Sequence, residues 1–152
     1  MAAAKAFTAN GLSLDSKPLS TAQLYRWVQP SNPDIGNPLF GLDGGNVLNS
    51  VFAYHGNYSD FGTAWDPMVG KRIGGTISFG GGLGLYAGTK PIGGIGLSGD
   101  TACADHSVAW RIRHALNMKP TAGDDRLPFA TNLNNTNGHP HCPNDANTQG
   151  AV

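Results

Sequence analysis

The chain has 152 residues, 22 of them Gly and 10 Pro, and only 13% are charged. Glycine stands at about twice its usual share and charge at about half, while the length suits one domain. Ten basic residues balance ten acidic ones, so no positive field gathers phosphates, and a nucleic-acid partner is not expected.

No apolar run approaches the ~18 residues of a bilayer span, and Met1-Ala2-Ala3-Ala4-Lys5 lacks the basic-then-apolar order of a signal peptide. Every acid is Asp. That excludes an H-E-x-x-H zinc protease and a Glu-type EF-hand. With Cys103 and Cys142 as the only thiols, a four-cysteine zinc site is excluded too.

Residues 1–10 are Ala-rich and predict a helix stopped by Asn10-Gly11. Ser20 or Thr21 caps a second helix over 21–28, with Leu24, Trp27 and Val28 on one face and Pro30 ending it. From 29 to 69 the pattern weakens into Pro, Gly and Asn, with one ambiguous apolar stretch over 47–54. Its aromatic content (Phe40, Phe52, Tyr54, Tyr58, Phe61, Trp65) favours an ordered loop over disorder.

Three short apolar runs follow, at 72–79, 83–86 and 92–97, and predict strands. Ala87-Gly88-Thr89-Lys90-Pro91 between the last two is a hairpin signal. Twelve glycines lie between Gly70 and Gly99. Glycine within strands marks a close backbone approach, either of a ligand or of a packed helix. Asp100 or Thr101 then caps a helix reaching about 117, with Val108, Ile112, Ala115 and Leu116 as the expected buried stripe. The segment 121–152 is Asn-rich, nearly free of aliphatics and reads as an irregular tail after a single domain over 1–120.

The run Ile92-Gly93-Gly94-Ile95-Gly96-Leu97-Ser98-Gly99-Asp100-Thr101, continuing into Ala102-Cys103-Ala104-Asp105-His106-Ser107-Val108-Ala109, resembles the signature of the GlcG/HbpS-like haem-binding family. Phe79-Gly80-Gly81-Gly82-Leu83-Gly84-Leu85-Tyr86 is similar to that family's G-G-x-P-[IL] hairpin strand, with Gly84 where proline is usual. Lys5-Ala6-Phe7-Thr8-Ala9 resembles the family's K-A-x-T-A. Gly138-His139-Pro140-His141-Cys142 is similar to the G-H-P-x-C of a longer subgroup that also carries Cys at the position of Cys103.

The resemblance implies an α+β, profilin-like fold, an antiparallel sheet of about five strands with packed helices. The family's N-terminal helix and hairpin have no counterpart here. The expectation is therefore an N-terminally truncated chain, or one that completes its sheet in a homo-oligomer through an open strand edge.

The functional expectation is a haem-binding or haem-associated accessory protein, with its pocket between the Gly-rich sheet and the last helix. Ser98, Gly99, Asp100 and Thr101 at the helix mouth would hold the carboxylates of a small planar ligand. His106 would be the iron-side metal ligand, with Phe79 and Tyr86 as apolar walls. The bland reading makes Asp100 a cap and His106 a solvated or loop-bonded side chain. Gly80 to Gly84 have two readings, a bed for a macrocycle or close strand–helix packing.

Cys103 and Cys142 are expected to form a disulfide, as the subgroup resemblance supports; a low-pKa thiolate at Cys103 is the alternative. His139 and His141 beside Cys142 look like a metal tract, or like an irregular tail next to the bridge. His114, late in the helix, suits the dipole there. The rival function is a lyase or isomerase of a carboxylic acid using Asp105 or His106 as base. No membrane partner is expected. Location follows the start of the chain: periplasmic or secreted if truncated, cytoplasmic if complete.

Overall fold

The computed structural model describes residues 1–30, 39–42, 48–143 and 145. Within these, helix α1 spans Ala2–Leu12, α2 Thr21–Val28, α3 Ser50–Ala53 and α4 Ala102–Ala115. A 3-10 turn covers Tyr58–Asp60, and strands β1 (Gly82–Ala87) and β2 (Lys90–Gly96) form an antiparallel hairpin. The fold is α+β.

α1 runs past the expected stop at Asn10-Gly11. It ends at Ser13, whose hydroxyl accepts from Leu19 N–H as the chain turns towards α2. α2 starts as predicted: the Ser20 hydroxyl accepts from Gln23 N–H while the Gln23 side chain accepts from Ser20 N–H, a reciprocal capping box without Glu. The hairpin turns at Gly88, which adopts φ +66°.

Of the three expected strands, two form. Residues 72–79 form no strand: Gly74 and Gly75 turn the backbone at φ +64° and +79°, Gly74 makes only an isolated bridge to Leu48, and Ile77 N–H donates to the Thr8 hydroxyl of α1 at 3.2 Å. β-propensity depends on context, and the paired glycines Gly74-Gly75 break the extended run it requires. The five-stranded sheet of the resemblance is not present among the described residues. The apolar stretch predicted at 47–54 holds α3; Val47 lies outside the described residues.

The hairpin explains the glycines. Gly82 pairs with Gly96 and Gly84 with Gly94. A Cβ added at Gly94 or Gly96 would strike the carbonyls of Ala6 and Ala2, and one at Gly82 the carbonyl of Lys5. α1 therefore lies directly on a face stripped of side chains, closer than any other residue would allow. The packed-helix reading of the glycines is the one observed.

The outer edge of β1 is closed by the protein itself. Gly82 N–H donates to the Thr21 hydroxyl, Tyr86 N–H to the Met118 carbonyl, and Arg113 donates to the Gly84 carbonyl. No comparable bond closes the outer edge of β2 among the described residues.

α4 reverses the expected pattern. Val108, Ile112 and Leu116 are 40%, 38% and 55% exposed and Ala115 is exposed as well, whereas Asp105, His106 and Arg113 are buried. Asp105 and Arg113 go inside because each charge finds a partner there. Lys5 Nζ donates to Asp105 at 2.8 Å, tying α1 to α4. Arg113 makes two bonds to Asp125, at 2.6 and 2.7 Å, tying α4 to the tail. A paired, hydrogen-bonded charge is the form in which an ion tolerates burial.

The tail is irregular but packed. Leu127 and Ala130 are buried, and Phe129 bridges to His139 in parallel through Ala130 N–H to His139 O. Leu127 joins Ala22 and Cys103 in the small apolar core. Residues 144 and 146–152 of the tail lie outside the described residues.

Candidate functional site

At the mouth of α4 the Thr101 hydroxyl accepts from Ala104 N–H, so Thr101 is the cap. Asp105, in the first turn, bends back. Its Oδ1 accepts from Gly99 N–H at 3.2 Å and from Asp100 N–H at 3.1 Å, while Oδ2 takes Lys5. The carboxylate thus occupies the anion position expected for a ligand. Ser98, Gly99 and Asp100 form an exposed turn above it.

His106 corrects the expectation in a second way. It is wholly buried, and neither ring nitrogen has a hydrogen-bond partner. Loss of hydration pushes its pKa down to about 3, helped by the charges of His139, Arg113 and Lys5. The ring is neutral at any physiological pH. A Cβ on Gly80 would meet the Ala102 carbonyl and sit 3.1 Å from His106 Cβ, so the slot between hairpin and helix holds the protein's own atoms.

Phe79 lies near Lys5, whose ammonium is 5.1 Å from its ring centre. Tyr86 sits apart from that group: its hydroxyl donates to the Leu14 carbonyl, and burial raises its pKa. None of the seven expected residues lines the cleft at the far end of α4 described below. The same geometry removes support from the acid–base reading, because Asp105 is fully engaged and His106 faces no cleft.

The disulfide joins Cys103 and Cys142, with Cα atoms 6.1 Å apart. His139 sits against it: its ring and the two sulfurs present ligand atoms all within 4.8 Å of one another. His139 Nε2 accepts from Gly80 N–H at 3.1 Å and Nδ1 faces the Pro140 carbonyl at 2.8 Å, which sets the proton on Nδ1. Burial lowers its pKa. His141 points elsewhere, stacked on Phe129 and paired with Asp145. The expected metal tract is thus split: His139 joins the cysteines and His141 does not.

A cleft of about 390 Å3 opens at the far end of α4, lined by Trp110, Arg113, His114, Lys119, Arg126 and neighbouring residues. The size lies within the usual ~300–1,000 Å3 of small-molecule sites. His114 Nδ1 faces the Trp110 carbonyl at 2.9 Å, so Nε2 is the ring nitrogen left outward, and the ring packs 4.7 Å from that of Trp110. Sequence reasoning treated His114 only as a dipole partner. The Trp110/His114 spacing of four residues, followed by Lys119 and Arg126, was the available signal.

Residues 1–112 match the family model described as "Haem degrading protein HbpS-like". The chain belongs to the HbpS-like family. The match covers α1, the hairpin and most of α4, while His139, Cys142 and all the cleft residues named above except Trp110 lie beyond it. No curated protein and no solved structure matches the chain.

Proposed function

We propose that this HbpS-like protein is a haem-associated binding protein whose ligand sits in the cleft at the C-terminal end of α4. The slot beside His106 does not fit a macrocycle, since Gly80 and Gly82 are already in contact with α4 and α1. The observation that carries the reading is the outward Nε2 of an exposed His114, held by Trp110 at the mouth of the cleft.

Here His114 would hold the iron, Trp110 would offer an aromatic wall, and Lys119 with Arg126 would meet propionates. Arg126 is engaged with Asp124 at the surface, an ion pair weak enough to exchange for another carboxylate. Bound haem would supply an iron centre open to further ligands. The family match ends at Ile112, so of the cleft residues only Trp110 lies within it, and Arg113, His114, Lys119 and Arg126 lie beyond it.

A homo-oligomer belongs to the same reading. The exposed Val108, Ile112 and Leu116 stripe and the open edge of β2 support it.

Haem titration tests the site. A Soret shift at micromolar haem that disappears in His114→Ala and persists in His106→Ala is the expected pattern. A shift untouched by His114→Ala removes the cleft from consideration.

A further inference from the structure

The buried polar cluster at the start of α4 is not used by the haem reading, and its arrangement has a chemistry of its own. Cys103 and His106 are three residues apart on α4, so they share one face and stand one turn from each other. The tail presents the mirrored spacing, His139-Pro140-His141-Cys142, and the structure turns His139 inward while His141 leaves. The ligand atoms of Cys103, His139 and Cys142 already lie within 4.8 Å of one another. Outside that trio but one turn along α4 from Cys103, His106 is a wholly buried ring with two unpartnered nitrogens. A buried imidazole with no hydrogen bond is unusual and calls for a missing partner.

We propose that reduction of the Cys103–Cys142 disulfide converts this cluster into a closed Cys2His2 zinc site formed by Cys103, His106, His139 and Cys142. Two sulfurs and two imidazoles are a donor set that suits tetrahedral Zn2+ and leaves no open position, so the site is structural and not catalytic. Bond lengths of about 2.0–2.3 Å imply ligand separations near 3.3–3.8 Å, about 1 Å inside the 4.8 Å spread of Cys103, His139 and Cys142; His106 would close in from one turn along α4 as the fourth ligand. His139 gives up the Gly80 N–H to bind through Nε2.

The chemistry balances with a dithiol as reductant. One of its thiolates attacks a cysteine sulfur, the half-exposed Cys142 being the reachable one, and forms a mixed disulfide; Cys103 leaves as a thiolate. The second thiol of the reductant then displaces Cys142 and closes to a cyclic disulfide. Two electrons pass to the protein, and Zn2+ displaces the two thiol protons as it binds. The tail is then clamped to α4 in either redox condition, by a covalent bond or by the metal.

The full chain is reduced with dithiothreitol, desalted without oxygen and titrated with Zn2+, or with Co2+ as a spectroscopic stand-in. Expected is one metal per reduced chain, none per oxidised chain, and the visible absorption of tetrahedral cobalt with thiolate charge transfer. X-ray absorption of the zinc form should show two sulfurs and two imidazoles. His106→Ala should weaken binding at least about tenfold, the smaller end of the effect of losing even an outer-shell partner. If that variant does not fold, the wild-type absorption spectrum decides. A reduced chain that takes up no metal, a spectrum with fewer than two imidazoles, or equal uptake by the oxidised chain overturns the proposal.

Discussion

His106 makes acid sensitivity calculable in a window where carboxylates are still ionised. In the folded chain its pKa lies at about 3, and in the unfolded chain near the ordinary 6.5. The folded state holds the neutral ring, so well above pH 6.5, where the unfolded chain's ring is neutral too, the residue is indifferent to pH. Below it the unfolded chain takes up a proton that the folded chain refuses, and stability falls until pH reaches about 3. Between pH 7 and pH 5 this amounts to about 2 kcal/mol from one ring, roughly an eighth to two-fifths of a typical domain's stability. Lys5 from α1, Arg113 from α4 and His139 from the tail all face the ring with positive charge or the capacity for it. His139, whose own pKa is lowered, adds a loss of the same sign. Urea unfolding of the oxidised protein at both pH values reads the effect. His106→Leu keeps the apolar volume, removes two orphaned nitrogens and should lose most of the pH dependence while matching or exceeding wild type at pH 7. A His106→Leu protein with the full wild-type pH dependence would refute the reasoning.

The buried ion pairs, the glycine bed, the disulfide and the apolar stripe each give a further expectation. Lys5→Met strands the Asp105 carboxylate and should cost about 3–5 kcal/mol in a thermal melt, and adding Asp105→Leu should recover a large part. Gly96→Ala drives a methyl into the Ala2 carbonyl and should destabilise by at least about 1–3 kcal/mol. Gly11→Ala, with nothing within 4 Å inside α1, should stabilise by about 0.5–1 kcal/mol; the same sign for both variants would contradict the packing described. In metal-free buffer, reduction of Cys103–Cys142 should cost about 3–4 kcal/mol, read as a shift in urea midpoint. If the α4 stripe is the contact between copies, Ile112→Asp should shift the sedimentation profile towards monomer, and an unchanged profile would exclude that face.

The features read correctly from sequence are local ones. Ser20 and Thr101 cap their helices because a hydroxyl three residues ahead of an amide is sufficient, and Gly88 turns the hairpin because only the backbone's own preference is involved. The cysteine pairing and the family were legible because they rest on residue identity at fixed spacing. The buried face of α4 was not legible, for a physical reason. Apolar periodicity assigns Val108, Ile112 and Leu116 to the interior on the premise that charges stay wet. Here Asp105 is paid for by Lys5, one hundred residues earlier, and Arg113 by Asp125 beyond the helix. No window centred on α4 contains both halves of that exchange. The same distance hid the site. Gly99 and Asp100 look like free donors until Asp105 folds back onto them, and His106 looks like a surface ligand until Gly80 closes against it. A helix whose charged face is neutralised from elsewhere in the chain turns its apolar face outward, so the stripe that misled the assignment is itself the surface on which a second copy would be expected to pack.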